Sequence, residues 1–312
     1  MVQPKGDEGS IDRGRLYFPP VETIEIASRS VEQTYRVKVV QPPQGRDDTR
    51  RFPAIFMVDG NQAFDLCKSL SWLMQQGEVP PYILVSVEYP AESPVGGELL
   101  RMRDLTFPDY PNYLEGHPEL LRWGDVLRPP NGGKTFGGGE AFLHFLGTEL
   151  IPRIEERYRV LSDFRIYFGH SLAGGFGLVT LLSAPRLFRG YICSSPTVAY
   201  HGRTPQGLVY ERDFLSERLK AGLTALSSSP ESRRRLFLSV GTCEEFEPAV
   251  ENWHFVSNFF RLTSFLKHNP LPGLTVRSRV FEGETHLTVW PRAFMEGVRT
   301  MLLGPWDSPE AL

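Results

Sequence analysis

Residues 169–173 read Gly-His-Ser-Leu-Ala. They lie between a β-like run at 164–168 and an apolar, helix-like run at 176–182. A serine at a sharp strand-to-helix turn is a candidate nucleophile, because the turn lifts its hydroxyl clear of the sheet. Such a turn tolerates only small residues two positions before and after the serine, and Gly169 and Ala173 meet that condition. The same turn opens a helix, whose first backbone N–H groups can meet an oxyanion. A plain helix cap is the rival use of a serine there. The strand–turn–helix setting with its run of small residues favours Ser171 as nucleophile.

A serine needs a base. Of seven histidines, His286 is the best placed, in a loop after the last strand-like run and before the last helix. His170 adjoins the serine, but neighbours on such a turn point different ways. His144 and His254 fall in helical stretches. A carboxylate to orient the base belongs in the loop after the preceding strand, which reads Thr242-Cys243-Glu244-Glu245-Phe246-Glu247. Two N–H donors complete the constellation: the amide of Leu172, and a second from Asp59-Gly60-Asn61, with the Asn61 amide favoured. An ordinary turn is the rival reading of Asp59-Gly60.

These residues need a scaffold. Short strand-like runs at 54–58, 82–87, 190–194 and 236–240, and a strand with β-branched content at 274–281, alternate with helical stretches at 139–158, 176–182 and 250–266, and with a helix after His286. Residues 196–232 read as polar loops with a helix near 209–226. Earlier, 21–27 and 34–40 read as strands. The alternation implies a mostly parallel sheet covered by helices on both faces. The chain order nucleophile, acid, base matches the α/β-hydrolase plan. Residues 1–18 read as an arm, 19–304 as a single α/β-hydrolase domain and 305–312 as a tail. Within the domain, 90–138 is irregular and rich in proline, glycine and aromatics. Such a long segment in a compact domain is usually functional or disordered. Its Phe107, Tyr110, Tyr113, Trp123 and Phe136 could line an acyl or aryl pocket, or form the small core of a lid. Tyr113 and Trp123 are the candidate substrate contacts.

The chain has 312 residues and a formal charge of −3, which argues against nucleic acid or an anionic membrane held by bulk charge. Cys67, Cys193 and Cys243 are too few and too scattered for a disulfide framework or a zinc site, and read as buried free thiols. No metal and no cofactor is expected. No secretory leader is visible at the N-terminus and no apolar run approaches the ~20 residues of a membrane span, so the expected location is cytoplasmic. Nothing in the sequence fixes the oligomeric state.

The chain resembles the putative-esterase branch of the α/β-hydrolase superfamily, which includes siderophore trilactone esterases and esterase D. The matching pieces are Val58-Asp59-Gly60, residues 101–106, 137–158 and 169–175, Ser194-Ser195-Pro196, and Gly283-Glu284-Thr285-His286. Ala173 departs from the glycine usual in relatives. The resemblance implies hydrolysis of a carboxylic ester by acyl transfer to Ser171 and then to water, on an aryl, siderophore-like or secondary-metabolite ester. It implies Glu244 as the acid, third after the strand-ending Gly241. Glu245 is the neighbouring alternative, and a serine–histidine dyad the third case. It also implies a substrate-site arginine before Asp104-Leu105-Thr106. Arg101 or Arg103 could fill that role, or either could be a structural ion-pair partner. An acyltransferase, a peptidase or thioesterase, and a non-catalytic binding protein on the same fold are the rivals.

Overall fold

The structure, a computed structural model, describes residues 19–42, 49–90, 97–107, 137–204, 207–212, 233–271 and 273–304. The expected arm at 1–18, the tail at 305–312 and most of the irregular segment lie outside these residues.

An eight-stranded sheet organises the molecule. Its strands are β1 (Val21–Ser28), β2 (Gln33–Val40), β3 (Phe52–Met57), β4 (Ile83–Glu88), β5 (Val160–His170), β6 (Gly190–Ser194), β9 (Arg234–Gly241) and β10 (Leu274–Phe281). The spatial order is β1-β2-β4-β3-β5-β6-β9-β10. β2 pairs antiparallel with both β1 and β4, and every other pair is parallel. A parallel sheet needs both faces covered, so its strands are nearly continuous apolar runs with no polar side. Alternate residues feed opposite cores. Tyr167, Tyr191, Cys193, Leu236 and Leu238 join one core, whereas Ile166, Phe168, Ile192 and Phe237 join the other. Burial of each large apolar side chain contributes about 1.5–3 kcal/mol.

The first core is covered by α2 (Gly97–Leu105), α3 (Gly139–Phe145), α4 (Ile151–Arg157), α5 (Leu172–Ser183) and α6 (Phe255–His268). The second lies under α1 (Gly60–Met74) and α7 (Val289–Leu303). The expected layers are therefore present.

Three local expectations need correcting. Residues 209–212, the start of the helix expected near 209–226, are strand: β7 (Tyr200–Thr204) and β8 (Gly207–Arg212) form an antiparallel hairpin, and residues 213–226 lie outside the described residues. The short Leu-Val-Tyr run after Gly207 suits a pleated ribbon better than a helical turn. The helix expected over 139–158 carries a π-helical turn at Leu146–Leu150 between α3 and α4. The helix expected from 250 starts as a 3₁₀ turn, Glu251–Trp253, and restarts as α6 after His254, whose φ of 42° breaks the helical path. Cys67 and Cys193 are buried free thiols as expected, but Cys243 is exposed. Burial pushes both buried thiols up in pKa, with Asp59 adding to the effect at Cys67.

Candidate active site

Parallel strands place their C-terminal ends on one side, where ligands of open α/β sheets bind. The sequence candidates follow those ends. Asp59 and Asn61 follow β3, Ser171 follows β5, Glu244 follows β9 and His286 follows β10.

Ser171 occupies the turn between β5 and α5 with φ 58° and ψ −118°. A non-glycine residue at positive φ is strained, and such strain persists only where the surroundings impose it. Here they do. The Ser171 amide donates to the Ser194 carbonyl (3.0 Å), and the Ser171 carbonyl accepts from the Gly175 (3.0 Å) and Thr197 (3.2 Å) amides. A Cβ at Gly169 would lie 2.5 Å from the Ala173 carbonyl oxygen, and one at Gly175 2.5 Å from that of Thr197. Glycines there let α5 press onto the ends of β5 and β6. The alanine at 173 fits this packing, and its carbonyl accepts from the Tyr167 hydroxyl at 2.6 Å. Leu172 is the first residue of α5. A helix's first amides have no carbonyl one turn back to bond, which leaves that N–H to face an incoming oxygen.

His286 is largely buried. Its Nδ1 lies 2.6 Å from Glu244 Oε2. Opposite a carboxylate the Nδ1 position carries the proton, so Nε2 is the nitrogen left to accept one. The ring stacks on Phe255 at 4.6 Å and rests 4.4 Å from His170, the residue preceding Ser171. The His286 amide donates to Glu247 at 2.8 Å.

Glu244 is fully buried in a 3₁₀ turn, Thr242–Glu245, directly after β9. Its Oε1 accepts from the Gly241 amide (2.6 Å) and the Ser195 hydroxyl (2.7 Å). The loops that carry Glu244 and His286 run side by side. The Cys243 amide donates to the Glu284 carbonyl at 3.0 Å, and a Cβ at Gly241 would lie 2.3 Å from that oxygen. Glu245 turns the other way. It accepts from the Val256 and Ser257 amides, both at 3.0 Å, and from the Ser257 hydroxyl at 2.5 Å. Burial opposes its ionisation, but the Ser257 bonds outweigh that and hold its carboxyl below the usual range. It serves the α6 N-terminus, where a negative charge is favoured.

Asn61 lies in the first turn of α1, and its side-chain amide bridges the Tyr89 backbone, Nδ2 to the carbonyl at 2.9 Å and Oδ1 from the N–H at 2.7 Å. That bridge fixes the loop presenting the Asn61 amide. Asp59, just before it, is buried and reaches the His170 amide at 3.4 Å. The Arg101 Nε donates to Asp59, and its Nη2 donates to the His170 carbonyl at 3.2 Å. Arg103 is also buried and pairs with Asp104 at 2.6 Å. Asp104 accepts in addition from the Tyr35 hydroxyl at 2.5 Å. Both arginines thus form buried ion pairs, and Arg101 ties the loop after β3 to the β5–α5 turn.

His170 is buried between Trp290 (4.6 Å) and His286, with Nδ1 3.1 Å from Ser194 Oγ. Burial, reinforced by the nearby His286 and Arg101 charges, holds its pKa well below the ordinary histidine value. It is a neutral ring near pH 7. Of the segment aromatics, Phe107 packs on Phe176 at 5.7 Å and belongs to the core. Tyr110, Tyr113, Trp123 and Phe136 lie outside the described residues.

Among the described residues no cluster of three or more His, Cys, Asp or Glu side chains is placed to hold a metal ion. Among them too, no helix is long and apolar enough to cross a membrane.

Similarity to known proteins agrees with this architecture. The sequence model of the family described as Putative esterase matches residues 125–301, more than half of the chain. Ferri-bacillibactin esterase BesA of Bacillus subtilis is 26% identical over 291 residues, covering 91% of this chain and 90% of that protein. Among solved structures, the BES protein from Bacillus cereus superposes with a TM-score of 0.72 at 23% identity, covering 94% of this chain and 99% of that one. Siderophore hydrolase EstA from Aspergillus nidulans gives 0.72 at 20% identity, covering 91% and 94%. A sheet of this order, a serine on the β5–α5 turn and a matched family sequence lead to one assignment: the chain belongs to the Putative esterase family and is a carboxylic ester hydrolase of the α/β-hydrolase fold.

Proposed function

We propose that this esterase opens the ester bonds of a siderophore-like, aryl-bearing substrate through an acyl-enzyme on Ser171. The observation that carries the mechanism is the 2.6 Å bond between His286 Nδ1 and the buried Glu244 carboxylate. It fixes the tautomer in which His286 Nε2 can take the Ser171 proton. The Ser171 oxygen then attacks the ester carbonyl, and the Leu172 and Asn61 amides receive the developing oxyanion. Collapse of the tetrahedral species breaks the C–O bond, and the imidazolium returns its proton to the departing alkoxide. Water, deprotonated by the same nitrogen, repeats the sequence and frees the acid.

Two considerations support the substrate class. The full-length relatives include an esterase named for ferri-bacillibactin. Two large apolar side chains also flank the acid and base: Phe246 is 87% exposed and Leu287 is 74% exposed. Apolar surface left in water beside polar machinery suits an aromatic substrate ring.

The test is a panel of cyclic catecholate trilactones, iron-free and iron-loaded, beside p-nitrophenyl and hydroxycinnamate esters, assayed with wild type and Ser171→Ala. The expected result is a kcat/KM for a trilactone at least tenfold above the simple esters. Loss of a triad nucleophile should lower kcat on the order of 10⁶-fold. A Ser171→Ala protein retaining a tenth of the activity would end the nucleophile assignment. A flat profile across the panel would end the substrate assignment alone.

A further inference from the structure

We infer that Ser195 is a positioning residue for ester hydrolysis, holding the carboxylate that orients the base. The inference rests on the reading of Glu244 as the acid.

A carboxylate with no solvent exposure must replace its lost hydration with hydrogen bonds. Glu244 has three partners: the Gly241 amide and Ser195 hydroxyl on Oε1, and His286 Nδ1 on Oε2. Only one of the two Oε1 donors is a side chain that mutation can remove. The Gly241 amide lies within the acid's own turn and cannot by itself stop the carboxylate from rotating. The Ser195 hydroxyl approaches from a different strand end, 49 residues away in sequence. Together the two donors fix the carboxylate plane, leaving Oε2 directed at the base.

The backbone at Ser195 is built for this. It follows β6 directly, is fully buried and has φ 42°, a conformation that favours glycine. Its amide donates to the Ser239 carbonyl on β9 at 2.7 Å. Glycine would occupy this position without strain but would supply no donor. The preceding residue does the matching task for the nucleophile, because the Ser194 carbonyl accepts the Ser171 amide at 3.0 Å. The dipeptide Ser194-Ser195 thus links the nucleophile turn to the acid.

The experiment compares Ser195→Gly, Ser195→Ala, Glu244→Gln and the double variant Ser195→Gly/Glu244→Gln, with kcat, KM and thermal midpoint measured for each. Ser195→Gly should lower kcat about 10- to 100-fold, the range for losing a hydrogen bond to a charged group. KM should stay within about threefold, because the hydroxyl touches no substrate, and the midpoint should fall less than in Ser195→Ala, because both variants lose the bond to the buried carboxylate but only glycine relieves the strained φ. Ser195→Ala should lose the same kcat. In the Glu244→Gln background Ser195→Gly should cost nothing further, which a merely structural serine would not show. Near-wild-type kcat in Ser195→Gly beside a disabled Glu244→Gln overturns this inference and leaves the acid reading standing. A loss in Ser195→Ala alone, or losses that multiply in the double variant, overturns it as well. An active Glu244→Gln overturns the acid reading itself.

Discussion

At the scale of single residues, two adjacent glutamates have been separated by their partners. Glu244 faces His286 from a buried turn, whereas Glu245 caps the start of α6. Glu244→Gln should therefore lower kcat on the order of 10³–10⁴-fold, as loss of a triad carboxylate does. Glu245→Gln should leave kcat within a fewfold and lower stability by about 0.5–2 kcal/mol, the usual cost of a lost cap. Steady-state kinetics and thermal melts on the two variants check both halves, and a reversed pattern would reverse the assignment. His170 yields a pH prediction. Its pKa is depressed in the fold by burial first, then by His286 and Arg101. The unfolded chain, with an ordinary value near ~6.5, takes up that proton first as pH falls. Its contribution is thus fully present above ~6.5 and is lost as pH drops below it. His170→Gln should flatten the fall in thermal midpoint between about pH 7 and 5.5, as followed by differential scanning calorimetry. An unchanged slope would show that other groups set the acid sensitivity. The turn at Ser171 was legible in the sequence because its requirements are local: its small residues fall within four positions of Ser171. The Ser195–Glu244 bond was not, because its partners stand 49 residues apart in sequence.

Among the elements, the link between the loop after β3 and the β5–α5 turn depends on Arg101 of α2. The sequence left open whether this arginine meets substrate or an ion-pair partner. Its Nε bonds Asp59, 42 residues away, and its Nη2 bonds the His170 carbonyl. Pairings at that separation leave no trace in local sequence pattern, which is why spacing alone could not decide. Arg101→Leu leaves Asp59 as an uncompensated buried charge. Breaking one side of such a pair costs about 3–5 kcal/mol. Activity should fall by a similar factor on every ester, since the loop after β3 and the β5–α5 turn lose their common tie. Denaturant unfolding and the ester panel test this together. Unchanged stability with a loss confined to siderophore-like esters would favour the substrate-contact role. Element types were legible where short apolar or β-branched runs alternate with helical stretches: β6 and β10 have the expected bounds, and β9 extends those expected by two residues at its start and one at its end. The β7–β8 hairpin was not, because a short Leu-Val-Tyr run satisfies helix and strand patterns alike.

At the scale of the whole molecule, the sheet and its two cores can be considered apart from the irregular segment that interrupts them. The segment's described ends are joined. The Gly138 amide donates to the Arg103 carbonyl and the Gly139 amide to that of Thr106, both at 2.8 Å, while the Gly137 amide donates to Thr106 Oγ1 at 3.0 Å. Phe107 and Phe142 close the same junction by packing on Phe176. Phe107 and Gly137, which bracket residues 108–136 in sequence, thus belong to one junction packed on α5. Tyr113 and Trp123 lie between these two residues in sequence and are our proposed contacts to substrate. Replacing 108–136 with a short Gly/Ser linker should leave a folded protein, because both anchoring strands of hydrogen bonds stay in place and loop closure changes by little more than ~1 kcal/mol over such lengths. Hydrolysis of a small p-nitrophenyl acetate should survive within about tenfold. Discrimination in favour of a catecholate trilactone should collapse. Trp123→Ala and Tyr113→Ala should each move selectivity the same way while shifting the thermal midpoint little. If all esters lose activity equally and the midpoint drops, the segment is part of the core, and the choice of substrate must be made by the walls that Phe246 and Leu287 supply.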